Sequence, residues 1–426
     1  MGYTPVKGGA DAVRAAAELT RSSSAQLIAD APGERSTLDH VQAHLGAAVD
    51  RIMGEGGLFA PDLAAVAITQ AEGDMDEAAL LLRAYRSTLP RLGYTQPIQG
   101  RDMRVTRRIS AAFKDIPGGQ LLGRTRDYTH RLLDFSLLCN GGASTRGQGH
   151  AETTVPPLDG HADDHRPDAT VTADASDGEG FTWPPFPKVS DTLRDIGSIA
   201  PLPEQSPEET PFDITRESLR FPVPRSAWLQ SMARGETAAM VCLAYSNLRG
   251  YGYADHGTIG EVRVGSLPVK ILHPVTGVAV TIGSFEATEC EMFGPEGDAP
   301  VTGAKGRLLP AFGLSYGLVI GRNERKAIAM SILDSALQAG ELASIDGGEV
   351  APSNDQEMVL SHIDGIESTG FVEHLKLPHY VTFGSQIRTQ MSPRRDVMLA
   401  AERTLAGITP EVATERGMGG ECGSGF

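Results

Sequence analysis

No apolar run in the sequence approaches the ~18 residues that span a bilayer, and the opening stretch MGYTPVKGGADAVRAA lacks the apolar core of a signal peptide. A chain without these features is expected to stay in the cytoplasm. Val6 stands where a myristoylation signal carries Ser or Thr. The four cysteines, Cys139, Cys242, Cys290 and Cys422, lie far apart without a C-x-x-C pair. That spacing excludes a disulfide framework or a single-chain iron-sulfur cage and fits a reducing compartment. Positive charge is scarce as well: 38 Lys and Arg face 54 Asp and Glu, a net charge of −16. Long-range repulsion at that charge excludes general binding to nucleic acid or to an acidic membrane. No Walker A loop occurs.

What is present is the balance of an ordinary globular protein, 40% hydrophobic and 22% charged over 426 residues. From Thr37 to Gly93 apolar residues recur every three or four positions, in VQAHLGAAVDRIM and DLAAVAITQA, which predicts helices. Asp74 with Glu77 reads as a capping box for the next helix, and Pro90 ends it. Residues 140–212 hold ten prolines, and residues 151–180 hold eight acids against one Arg. Such a segment buries too little apolar surface to offset its ordering entropy, so it reads as a mostly disordered insertion. His161 and His165 within it carry no more than the reading of a polar loop. Beyond Phe221 the pattern changes to short strands, MVCLAYSNL, EVRVGSLPVKILHP, VAVTIGSFEATECEM and LSYGLVIG, separated by turns. NERKAIAMSILDSALQ then predicts an amphipathic helix capped by Asn323, and SPRRDVMLAAERTLAG a last helix before a loose tail. The expected fold is α+β: a helical N-terminal region (1–139, with a basic segment at 101–131), the insertion (140–212), a mixed or antiparallel sheet with flanking helices (213–390), and a helix and tail (391–426).

Four stretches could carry chemistry. Residues 101–131 hold eight Lys and Arg, including Arg107, Arg108 and Lys114, against three Asp. Guanidinium forks match phosphate oxygens, and Gly118 and Gly119 between the basic runs permit close backbone approach by a polyphosphate. An arginine-rich interface or salt-bridged face reads equally well. In RGYGYADHGTIGEVRVG, expected to join two strands, Tyr251 and Tyr253 could stack on a base, although an irregular turn has the same composition. SFEATECEM places Glu289 and Glu291 on one face of a strand, and Glu286 on the other with Cys290. With Glu261 these are candidate acids for protonating a leaving group and stabilising an oxocarbenium-like sugar, as glycosyl transfer requires; an exposed edge strand would also carry them. Finally, EHLKLPHY sets His374 and His379 five apart with Pro378 breaking any helix between them. Two imidazoles rarely suffice for zinc, which takes about four ligands.

Taken together, VKGG, the run from VDRIMGEGG to RLGY, RRISAAFKDIPGGQLLG, DYTHRLLDFSLL, RGYG, TECEM, YGLVIGRNERKAIAM and GFVEHLKLPHYV resemble the nucleosidase-like I subunit of the bacterial carbon–phosphorus lyase core complex. The resemblance runs from about Tyr3 to Thr382, leaving out the insertion and the tail. It implies a phosphonate-utilisation protein that acts with G, H and L companions to displace adenine from C1′ of ATP with an alkylphosphonate. The product would be α-D-ribose 1-methylphosphonate 5-triphosphate. It further implies assembly with G, H and J subunits in a two-fold complex, and a zinc ion held by His374 and His379 at the junction with J. On this reading the basic segment and Lys7 cradle the triphosphate, and Glu286, Glu289, Glu291 and Glu261 supply the acid and the negative charge. The alternative is a non-catalytic scaffold that organises its partners and contributes the zinc site.

Overall fold

The computed structural model describes residues 37–123, 125, 127, 131–133, 135, 186–200, 211–251, 257–294, 301–302, 308–309 and 311–407. The chain divides into two compact units, Met1–Ile366 and Glu367–Phe426.

Four helices open the first unit: α1 (Thr37–His44), α2 (Gly46–Gly56), α3 (Pro61–Gln70) and α4 (Met75–Thr88). The sequence dictates their ends. Pro61 sits in the first turn of α3, where its missing N–H has no partner to lose. The Asp74 side chain caps α4 by accepting from the amides of Asp76 and Glu77 at 3.0 and 3.2 Å. Gly57 closes α2 in the left-handed region at φ 66°. Val49, Ile52, Met53, Ile68 and Leu82 pack between these helices and reach Ile320.

The main sheet has the order β1–β2–β3–β4 and is antiparallel throughout: β1 (Arg104–Ile109), β2 (Thr258–Leu272), β3 (Ala279–Gly294) and β4 (Gly313–Ile320). Residues 301–302 and 308–309 form a separate short pair. The α+β reading holds, with one addition: β1 comes from the basic segment, so the sheet is not confined to the second half. Its first partner in sequence lies some 150 residues on, and the hydrogen bonds of β2 override the weak strand signal of an arginine-rich run.

One face of the sheet buries Val262, Cys290 and Val319 against α6 (Arg225–Arg234), α7 (Thr237–Ser246), α8 (Glu324–Ile345) and α9 (Gln356–His362). The core there includes Trp228, Met232, Met330 and Leu333, each contributing about 1.5–3 kcal/mol on burial. Asn323 caps α8 as expected, accepting from the Lys326 amide at 3.1 Å. MVCLAYSNL, expected as a strand, is α7 and the turn beyond it. Glu236 caps that helix by accepting from the amides of Ala238 and Ala239, at 2.7 and 2.6 Å. A short apolar run has no period of its own to choose between helix and strand, and the cap together with packing on α8 decides it.

The segment expected to be a disordered insertion is partly ordered. α5 (Val189–Asp195) buries Val189 and Leu193 with Ile116 and Phe293. Residues 140–185 and 201–210 lie outside the described residues, and so do Lys7, Tyr253, His161 and His165. The second unit holds the end of α10 (Gly365–His374) and α11 (Tyr380–Leu405). No single helix among the described residues is long and apolar enough to cross a membrane.

Candidate functional site

Strand register brings three of the four candidate glutamates together. Arg263 stands opposite Glu289 and also opposite Arg108, while Glu261 stands opposite Glu291, so all five share one face of the sheet. Arg108 Nε donates to Glu261 at 2.8 Å, Arg263 donates to Glu289 in a charge-assisted bond, and Lys188, just ahead of α5, donates to Glu289 and Glu291 at 2.7 Å each. Tyr316 on β4 adds its hydroxyl to Glu289 at 2.8 Å. Three carboxylates thus meet three cations, and the charge closes locally.

Covering segments seal this network. Arg108 donates to the carbonyls of Pro117, Gly119 and Pro187 at 2.6, 3.3 and 2.6 Å, and Arg263 to that of Gly100 at 2.7 Å. Glu261 and Glu289 are each 1% exposed. Burial pushes the Glu289 carboxyl up, yet Arg263 and Lys188 outweigh it and hold the group well below the usual carboxylate range. An ionised carboxylate engaged by three donors has no proton to give. Burial raises Glu261, with Arg263 and Arg108 opposing, and its Oε1 has no hydrogen-bond partner. Burial likewise pushes the Cys290 thiol up to about 12, so it is no nucleophile.

Arg107, on the other side of β1, is engaged by Glu324, by Asp127 at 2.6 Å and by the Leu122 carbonyl at 2.5 Å. The two arginines expected to cradle phosphate are therefore committed to internal partners. Lys114 is exposed, and Gly118 and Gly119 adopt left-handed turns at φ 81° and 76°. A side chain at Gly118 would meet the Phe186 ring at 2.8 Å, so the close approach it permits is to the chain's own segment. Tyr251 is exposed at the end of the turn after α7, where its carbonyl accepts from Ser353 at 2.6 Å.

Glu286 stands apart, half-buried, and accepts from Arg322 at 2.8 and 2.6 Å. Beside it lies a residue without sequence signal. Burial, with Glu286 nearby, raises the Asp50 carboxyl to about 6, against the Arg322 amide and guanidinium. Its oxygen is packed so closely on Gly321 that a Cβ there would fall 2.8 Å away. Two carboxylates beside one arginine, one of them raised to about 6, form the pattern of a general acid beside a charge-stabilising base.

In the second unit His374 and His379 face each other, with ring centroids 5.3 Å apart. His379 Nδ1 donates to the Leu377 carbonyl at 2.7 Å and His374 Nδ1 to that of Phe371. With Nδ1 so engaged, Nε2 is the atom each ring has left to offer a metal ion. Both residues are half-buried. No group of three or more His, Cys, Asp or Glu fit to hold a metal ion occurs among the described residues.

Comparison with known proteins adds the following. The family described as bacterial phosphonate metabolism protein (PhnI) matches residues 2–396. The chain is 46% identical over 390 residues to a C-P lyase subunit protein, HtxH, of Stutzerimonas stutzeri, covering 91% of this chain and 94% of that one. It is 42% identical over 403 residues to the alpha-D-ribose 1-methylphosphonate 5-triphosphate synthase subunit PhnI of Rhizobium meliloti, covering 92% and 95%. The Escherichia coli protein of the same description is 42% identical over 385 residues, covering 90% and 96%.

Proposed function

The chain belongs to the PhnI family of bacterial phosphonate metabolism proteins, and on that footing we propose that it is a subunit of an α-D-ribose 1-methylphosphonate 5-triphosphate synthase within a carbon–phosphorus lyase system. The observation that carries the reading is identity of 42% across at least nine-tenths of both chains with two relatives named for that synthase. Its role in the assembly, with G, H and L companions, is the nucleosidase-like step. The phosphonate oxygen bonds to C1′ of ATP, N9 leaves with the pair of the broken C1′–N9 bond, and a protein carboxyl protonates the departing adenine.

What the residues do in that step follows from their settings. A leaving purine needs an acid whose pKa lies near the working pH, and Asp50, raised to about 6 beside Glu286, keeps a protonated fraction of roughly a tenth at pH 7, far above that of an ordinary carboxyl. Glu286, paired with Arg322 next to it, favours the developing positive charge at the sugar. Glu289 and Glu291 hold the sheet and its cover together through Lys188. Glu261 is a buried reserve acid behind that cover.

His374 and His379 suit zinc as two of its ligands, and a partner such as the J subunit would supply the rest. The ion would serve as a fastening across that seam. Support comes from the following helix, on which Tyr380, Val381, Ile387, Met391 and Val397 are all exposed, an apolar surface of the kind another subunit covers.

A scaffold reading is favoured by one observation: each carboxylate of the Glu261–Glu289–Glu291 network is buried and ion-paired to an internal cation. The assembled complex, given ATP and methylphosphonate, separates the two. Adenine release lost in Asp50→Asn and Glu286→Gln supports catalysis; release at the wild-type rate in both leaves the scaffold.

A further inference from the structure

Where the β2–β3 hairpin runs past the end of β4, a cavity of about 530 Å³ opens between the sheet and the ends of α2 and α6. Its walls include Phe59, Phe285, Leu318, Val269 and Ile282, with Phe59 and Phe285 edge to face at a centroid distance of 6.1 Å. The volume lies in the range of small-molecule sites, and aromatic walls suit a flat heterocycle.

Positive charge gathers at one end. Arg234 lines the cavity, and the Arg86 guanidinium lies against Gly57, another lining residue, so near that a Cβ on Gly57 would sit 2.7 Å from it. Arg83 stands with them; among the described residues it is the one of the three with an ion pair, to Asp364 at 2.6 Å, and Asp364 also acts on Arg234 from further away. Arg86 reaches just the Gly57 carbonyl at 3.5 Å, and Arg234 Nε is buried without a partner. Burial, with Arg83 and Arg91 nearby, lowers Arg86; burial, with Arg86 and Arg83 and against Asp364, lowers Arg234 to about 10. Capping of helix ends does not account for the pair. Arg83 alone takes the terminal carbonyls of Glu55 and Arg234, at 3.1 and 3.3 Å. In a chain of net charge −16, one guanidinium lining a cavity, a second against its Gly57 wall and no carboxylate among the lining residues call for an anion from outside.

The other end meets the acid. Gly54 and Ile320 line the cavity; Asp50 is one turn before Gly54 on α2, and its carboxyl rests on Gly321, the neighbour of Ile320. Asp50 and Gly57 are seven residues apart, roughly 10 Å along the helix axis, a span that fits a ribose and its 5′-phosphate. The geometry points to this cavity as the nucleoside triphosphate site, with Arg86 and Arg234 gripping the phosphate chain, the base against Phe59 and Phe285, and the sugar–base junction turned to Asp50. The assignment of Asp50 rests on the function proposed above; the phosphate grip does not.

Calorimetric titration of the assembled complex with ATP, tripolyphosphate and adenosine tests it, using Arg86→Gln with Arg234→Gln and, separately, Ser284→Trp, which fills the cavity from an exposed strand position. The double variant is expected to weaken ATP and tripolyphosphate at least tenfold, leave adenosine within about threefold, and melt no lower than wild type, because the removed charges repel Arg83 and each other. Ser284→Trp is expected to weaken both ATP and adenosine. Unchanged ATP affinity in both variants, or no ATP binding by the wild-type complex, overturns the site. If both variants bind normally while the wild-type complex still releases adenine, the site falls and the function stands. If ATP binding depends on the arginines but no adenine is ever released, the grip stands and the nucleosidase reading falls.

Discussion

Lys188 joins two strand carboxylates at once: its Nζ lies 2.7 Å from both Glu289 and Glu291, more than a hundred positions further along the chain. Burial works against the ammonium, but Glu291 and Glu289 outweigh it and raise its pKa. Removing the cation leaves two buried carboxylates under-neutralised, which typically costs about 3–5 kcal/mol. Lys188→Met should therefore lower the midpoint of denaturant unfolding sharply, and Lys188→Arg should recover part of the loss. An unchanged midpoint in Lys188→Met would show that the network contributes no stability.

The same contact sets the limit of a tolerated deletion. Removing residues 145–180 should leave folding and assembly near wild type, whereas a deletion carried through 200 also removes Lys188, Val189 and Leu193 and should destabilise the chain. Size-exclusion profiles and melting curves of the two deletions decide this. Equal behaviour of both would contradict the ordering of α5.

Asp50 gives a pH-dependent signature. Its folded pKa, raised to about 6 from 3.8 by burial and Glu286, means that the folded state holds a proton which the unfolded chain releases. The associated stability is present below pH 3.8 and is lost as the pH rises through 6. Asp50→Asn should thus match wild type near pH 4 and exceed it by about 1–2 kcal/mol at pH 7.5, after discounting for the partial exposure of the group. Equal stability at both pH values would place Asp50 in ordinary solvent.

For the paired imidazoles, zinc content of the assembled complex is the readout. His374→Ala or His379→Ala should reduce bound zinc in the complex to near zero, and the isolated wild-type chain should hold it weakly, since two ligands are short of the about four zinc takes. Stoichiometric tight zinc on the isolated chain would mean that the remaining ligands are its own.

Much of the fold was legible because it is written locally. Asp74 and Asn323 cap the helices their spacing announced. β2, β3 and β4 carry the branched and alternating residues of strands. Even the shared face of Glu289 and Glu291 followed from the period of a strand, whereas the five-residue spacing of the two histidines left open whether their rings meet, as they do. What stayed hidden depends on distant partners. Nothing near Arg108 announces Glu261, nor does any local pattern tie Lys188 to β3. Asp50, Arg86 and Arg234 come from three different helices, and their significance lies in a burial and a missing counter-charge that exist only once the chain has folded.

The central claim is tested most directly by product analysis of the complex assembled with and without this chain, supplied with ATP and methylphosphonate. The account predicts adenine and ribose 1-methylphosphonate 5-triphosphate in equal amounts when the chain is present, neither when it is absent, and at least a hundredfold slower formation with Asp50→Asn. Equal product formation without the chain, or an intact complex that consumes ATP without releasing adenine, would contradict it.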